Sequence, residues 1–102
     1  MSEVRHTPGP WHVGGRDACT VYDKYAQRLA NSSEGVLVIQ RSDAECKANA
    51  RLIAAAPDFY QTARAIEWAL QSGHDAREVL DENSPLRDAL RDAIAKAEGV
   101  TP

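Results

Sequence analysis

The chain has 102 residues, 43% of them hydrophobic and 26% charged, and a net charge of −3. That length serves one core and not two, so residues 1–102 are read as a single domain. A mildly acidic chain makes a poor general binder of phosphate backbones, and no apolar run approaches the roughly 18 residues that span a bilayer. The charge is uneven: residues 1–41 hold five Lys/Arg against four Asp/Glu, and residues 42–102 hold seven against eleven.

The first 41 residues read as short strands between turn signals. Thr7-Pro8-Gly9-Pro10 is extended or turned, because its prolines fix φ and remove donors. Trp11-His12-Val13 alternates until Gly14-Gly15 breaks it. Cys19-Thr20-Val21-Tyr22 is rich in β-branched and aromatic residues, and Asp23-Lys24 turns it back. Gln27-Arg28-Leu29-Ala30 is a weaker strand ending in Asn31-Ser32-Ser33. Val36-Leu37-Val38-Ile39 is the strongest, apolar on both faces, and is expected at the centre of the sheet.

From residue 42 the period changes. Ser42-Asp43-Ala44-Glu45 is a capping box, with a hydroxyl at the N-cap and a carboxylate three residues on. Leu52, Ala56, Phe59, Ala63, Ile66 and Leu70 then recur at alternating four- and three-residue spacings, which predicts one helix burying that stripe until Gly73 stops it. Pro57 removes a donor inside it, so the helix kinks or breaks tightly there. Residues 75–81 predict a short helical turn. Ser84-Pro85 starts a last helix, with Leu86, Leu90, Ile94 and Ala97 on its buried face and Gly99 at its end. The expected fold is α+β: a small N-terminal antiparallel sheet of three or four strands, packed by a long kinked helix and a C-terminal helix. Residues 1–41 form the strand-rich half and 42–99 the helical half.

Few patterns carry chemistry. His6, His12, Cys19 and Cys46 lack the short spacings of a structural zinc site, so no metal is expected. The two cysteines read as reduced, packed thiols. There is no nucleophile elbow, phosphate-cradling loop or H-E-x-x-H helix, so neither catalysis nor a cofactor is expected. Arg5, Arg16, Lys24, Arg28 and Arg41 are dispersed among acids, which makes nucleic acid an improbable partner. Met1–His6 lacks a signal peptide's apolar core, and a cytoplasmic location is expected.

The candidates that remain are structural or interfacial. Asn49 falls on the buried edge of the long helix, where its amide needs partners. The Thr7–Trp11 segment offers carbonyls with few competing donors. Asn49 is therefore expected to tie that segment to the helix, with Trp11 packing beside Ile53 or Ala56. The alternative is an exposed recognition patch built from the same residues. Arg51 is expected to point away from the stripe, free for a partner. Tyr60 and Trp68 lie off the stripe and read equally as core or as interface anchors. Asp75, Glu78, Asp81 and Glu82 read as a solvated acidic face that a basic partner surface would fit.

Two boxes, His6-Thr7-Pro8-Gly9-Pro10-Trp11 and Ala48-Asn49-Ala50-Arg51-Leu52-Ile53-Ala54-Ala55-Ala56-Pro57, resemble those of a family of short proteins encoded by tailed bacteriophages and prophages. The resemblance implies a phage setting, hence the host cytoplasm, and supplies no reaction. Together with the size, the acidity and the missing catalytic patterns, it leads to a non-catalytic accessory protein that binds a host protein. Its most concrete version is an inhibitor of a bacterial defence system such as CRISPR, which an acidic protein would serve by covering a nucleic-acid-binding surface. The alternatives are a small dimeric nucleic-acid-associated regulator and a structural homo-oligomer that shares the helical stripe between two chains.

Overall fold

The structure, a computed structural model, describes residues 6–33 and 42–100. Strands β1 (His12–Gly14), β2 (Thr20–Tyr22) and β3 (Arg28–Asn31) precede helices α1 (Asp43–Gln71), α2 (Ala76–Val79) and α3 (Pro85–Glu98). The architecture is α+β, as the change of period at residue 42 predicts. The strands form an antiparallel sheet in the order β1-β2-β3. Among the described residues β2 is therefore central. The expected central strand, Val36–Ile39, lies outside them.

Side-chain chemistry explains the tight turns of the sheet. Buried Asp23 begins the second turn, and its Oδ1 accepts from the Tyr25 and Gln27 backbone N–H groups at 2.8 and 2.9 Å. That is the local backbone mimicry for which aspartate is favoured in turns. Val13 opposes Val21 across β1 and β2, but the β2–β3 register slips between Val21 and Tyr22. The slip has a packing consequence. In a regular ladder Leu29 would oppose Tyr22 on the outer face, whereas the bulge lets it join Val21 on the helix side. Leu29, Val13, Trp11 and Ile53 surround a core of Val21, Ala50 and Ala54.

The ends of α1 follow their sequence signals. Ser42 Oγ accepts from Glu45 N at 3.2 Å. At the other end Gly73, at φ +93°, lets its own N–H reach the Leu70 carbonyl and that of His74 reach Ala69. This pair of bonds closes a helix around a left-handed residue. Pro57 does not break the helix, which runs unbroken from Asp43 to Gln71.

The buried face of α1 is not the expected one. Leu52 is 58% exposed and Leu70 42%, Ala56 and Ala63 are exposed, and Phe59 and Ile66 are half-buried. The row that meets α3 stands one position earlier, at Arg51, Ala55, Asp58, Thr62, Ala65 and Ala69, all buried or half-buried. The two helices run antiparallel, since Arg51 lies at Gly99, Asp58 bonds Lys96, and Ala69 adjoins Leu86. Small side chains on this row allow close approach, so the larger apolar residues sit one step round the helix. In α3 the same shift buries Ala93 and leaves Ile94 41% exposed, while Leu86, Leu90 and Ala97 are half-buried. The other side of α1 carries the sheet on Ala50 and Ala54 and the N-terminal segment on Pro57. Among the described residues no helix is long and apolar enough to cross a membrane.

Candidate functional site

The N-terminal segment reaches the middle of α1 by close contact rather than through an amide bond. A Cβ on Gly9 would stand 2.7 Å from Pro57 Cβ, so only glycine fits there, and Pro57 is itself buried. The helix proline therefore marks the point where this segment docks. Trp11 packs on the core cluster and donates from Nε1 to the Thr7 carbonyl at 3.2 Å. It shares a small recess of about 200 Å³ with His6, Ala56, Pro57 and Tyr60. Asn49 is half-buried, and among the described residues no hydrogen bond joins its side chain to the Thr7–Trp11 carbonyls. The N-terminal segment thus meets the helix through Trp11 and Gly9, and the Asn49 bond expected of the latch is not among the contacts of the described residues.

Tyr60 and Trp68 prove to be surface residues, exposed to 42% and 69%. Tyr60, Arg64 and Trp68 repeat every fourth position, so the helix stacks them along one flank. Arg64 Nη1 donates to Tyr60 Oη at 3.1 Å, with its guanidinium carbon 5.8 Å from the ring centroid. Arg64, like any arginine, is a permanent cation, and its hydrogen bond to the Tyr60 hydroxyl holds the guanidinium above its ordinary pKa. Glu67 and Gln71, bonded to each other at 3.0 Å, complete a shallow recess of about 370 Å³ with these three residues. His6 meets Tyr60 edge-on at 5.0 Å, which connects this recess to the docked N-terminal segment.

Arg51 is not the free cation expected of it. Its Cδ and Nε lie 2.6 Å from where a Gly99 Cβ would stand, and its Nε is buried without a hydrogen-bond partner among the described residues. The side chain therefore closes the C-terminal end of α3, where a positive charge favours the helix dipole. The acidic set divides. Asp75 accepts from Arg77 N and caps α2, and Asp81 accepts from Asn83 N, so both shape the turn around α2. Glu78 and Glu82 are exposed carboxylates in the same stretch, towards the end of the molecule remote from the sheet.

An open groove of about 580 Å³ runs along the α1–α3 seam on its sheet-facing side, its apolar floor from Ala89, Ala93 and Val100 bordered by Asp58, Gln61, Thr62, Asp92 and Lys96. The 2.9 Å Asp58–Lys96 ion pair crosses it. Sequence reasoning singled out neither this groove nor Arg64, Glu67 and Gln71. The four-residue repeat Tyr60–Arg64–Trp68 was the available signal for the second group. Cys19 and Cys46 are buried thiols, and no group of three or more His, Cys, Asp or Glu converges among the described residues.

Two surfaces emerge: an aromatic and charged flank of α1, and an apolar face one step round from the helix seam. Among known proteins, a family model described as Salmonella phage P22 protein Y8K6 matches residues 1–101. No curated protein and no solved structure matches the chain.

Proposed function

We propose a function from one premise, that this chain belongs to the Salmonella phage P22 protein Y8K6 family. It is a phage- or prophage-encoded accessory protein that acts in the bacterial host by binding a host protein, without catalysis. The observation that supports this reading is the exposure of Trp68 beside Tyr60 and Arg64. Trp, Tyr and Arg are the residues that most often dominate binding energy at protein interfaces. Here they stand on a rigid helix, already oriented by the Arg64–Tyr60 hydrogen bond, so little ordering is lost on association. Glu67 and Gln71 supply a polar rim. Glu78 and Glu82 add negative charge that would steer a basic partner surface. Blocking a nucleic-acid-binding component of a host defence system is the most specific form of this function.

The test is affinity capture from host lysate with tagged parent protein and with Trp68→Ala, followed by titration of the identified partner. Trp68→Ala is expected to weaken binding by about 2 kcal/mol or more, roughly thirtyfold. Its melting temperature should stay close to the parent's, because exposed positions contribute little to folding. Glu78→Lys with Glu82→Lys should slow association at low salt. A partner held equally well by parent and Trp68→Ala would remove the aromatic flank from the binding site. A defence complex among the captured proteins would support the anti-defence form; a host protein unrelated to defence would leave only the broader one.

A further inference from the structure

The face of the helical layer remote from the sheet is apolar, and none of the described strands or helices packs over it. Leu52, Phe59, Ile66 and Leu70 of α1 each stand one position after a seam residue, and so do Leu90 and Ile94 of α3. One residue forward is about 100° of rotation. Because the two helices run antiparallel, that step turns both rows to the same side of the layer. The groove containing Gln61 and Asp92, each one position before a seam residue, lies on the opposite flank. Leu52, Leu70 and Ile94 remain 58%, 42% and 41% exposed.

We infer that this face binds a second copy of the chain, so that α1 and α3 of each copy together form a four-helix bundle. The charges beside the face select the occupant. The α1 edge carries Glu45 and Glu67, and the α3 edge carries Arg87 and Arg91, with Glu98 at its end. Stacking α1 on α1 of a second copy in the antiparallel sense, with Leu52 over Leu70, sets Glu67 at the level of Ala55 and gives it no cation. A two-fold axis along the helices instead stacks α1 on α3 of the second copy and keeps each residue's height. Arg87 of the second copy then stands at the level of Glu67, because α1 and α3 align Ala69 with Leu86 and Asp58 with Lys96. Glu98 falls at the level of uncharged Ala56. The face is therefore self-complementary under one symmetry operator, which an isologous dimer requires. Arg87 gives one N–H to the Leu80 carbonyl at 3.0 Å and keeps others for a carboxylate.

The area fits a reversible pair. Leu52 to Leu70 spans about 27 Å, and two helices side by side about 20 Å, for a footprint of roughly 500 Å² per copy. Interfaces near this size are transient rather than obligate. The inference does not rest on the host-binding reading: Trp68 lies outside this face, and Glu67 of the polar rim borders both surfaces.

Sedimentation and light scattering over about 5 to 500 µM are expected to show a monomer–dimer equilibrium in the micromolar range. Leu70→Glu with Ile94→Glu should give a folded monomer throughout, with circular dichroism as the check on folding. Should that variant lose its fold, two charge variants decide. Glu67→Arg alone and Arg87→Glu alone should each weaken self-association about tenfold, and mixing the two chains should restore it as a heterodimer. A parent protein monomeric over the whole range overturns the inference. So does a dimer unaffected by these substitutions, or a mixture that associates no better than its components.

Discussion

At Gly99 two physical constraints meet. The residue adopts φ +77°, where an L side chain is strained, and the place its Cβ would occupy is 2.6 Å from the Arg51 side chain. Gly99→Ala is expected to destabilise the protein by about 1–3 kcal/mol, the backbone contributing near 1 and the steric conflict the rest. Chemical denaturation of the double-mutant cycle with Arg51→Ala separates the two, because removing Arg51 should restore only the steric part. An unchanged Gly99→Ala penalty in that background would show that Arg51 gives way without cost. Arg51 also shows what residue type alone conceals. A cation in an alanine-rich helix reads as solvated, and only the position of Gly99, 48 residues later, reveals it as a helix-end contact. Asn49 is the converse case: its amide suggested a buried bond, and Gly9 against Pro57 makes the close contact instead.

The helix α1 carries two heptad-spaced rows side by side, Arg51 to Ala69 and Leu52 to Leu70, and periodicity cannot choose between them. Hydrophobicity favours the second row, with its Leu, Phe and Ile. Close helix packing selects the first, with its Ala and Thr, because small side chains bring the axes together. The period, the caps and the helix ends were therefore legible in the sequence, whereas the rotation of the helix was not. The three strands and the Asp23 turn were legible for the same local reasons, but the order β1-β2-β3 and the bulge that turns Leu29 inward were not. In the candidate site, Tyr60 and Trp68 were visible as candidates, but their exposure depended on the rotation and so had to be seen. A paired substitution tests the rotation. Thr62→Leu should cost about 1–3 kcal/mol by overpacking the seam, and Ala63→Leu should stay within about 0.5 kcal/mol at low protein concentration. Equal penalties would place both positions in the same environment and contradict the seam.

The molecule measures 49 × 29 × 26 Å, with a radius of gyration of 16.0 Å. A compact domain of this length would have a radius of gyration near 13 Å. The excess is the length of α1, about 43 Å for its 29 residues. The sheet rests on its first half through Ala50 and Ala54, the N-terminal segment on Pro57, and the second half is supported by α3 with the short α2 beyond it. One rod thus joins a region held by strands to a region held by helices. The aromatic flank stands on the second region, clear of the sheet.

That separation gives the chain a built-in optical division of labour. Its only two tryptophans occupy contrasting environments, Trp11 packed on the core beside Pro57 and Trp68 in water at the far part of the rod. In the native protein acrylamide should quench Trp68 emission strongly and Trp11 emission weakly, which single Trp→Phe variants resolve. A Trp68→Phe protein then reports docking of the N-terminal segment, and a Trp11→Phe protein reports occupancy of the aromatic flank. Equal quenching of both residues would mean that the N-terminal segment leaves the helix in solution. Without any attached dye, the same chain can therefore signal opening at one end and capture at the other, each at its own emission wavelength.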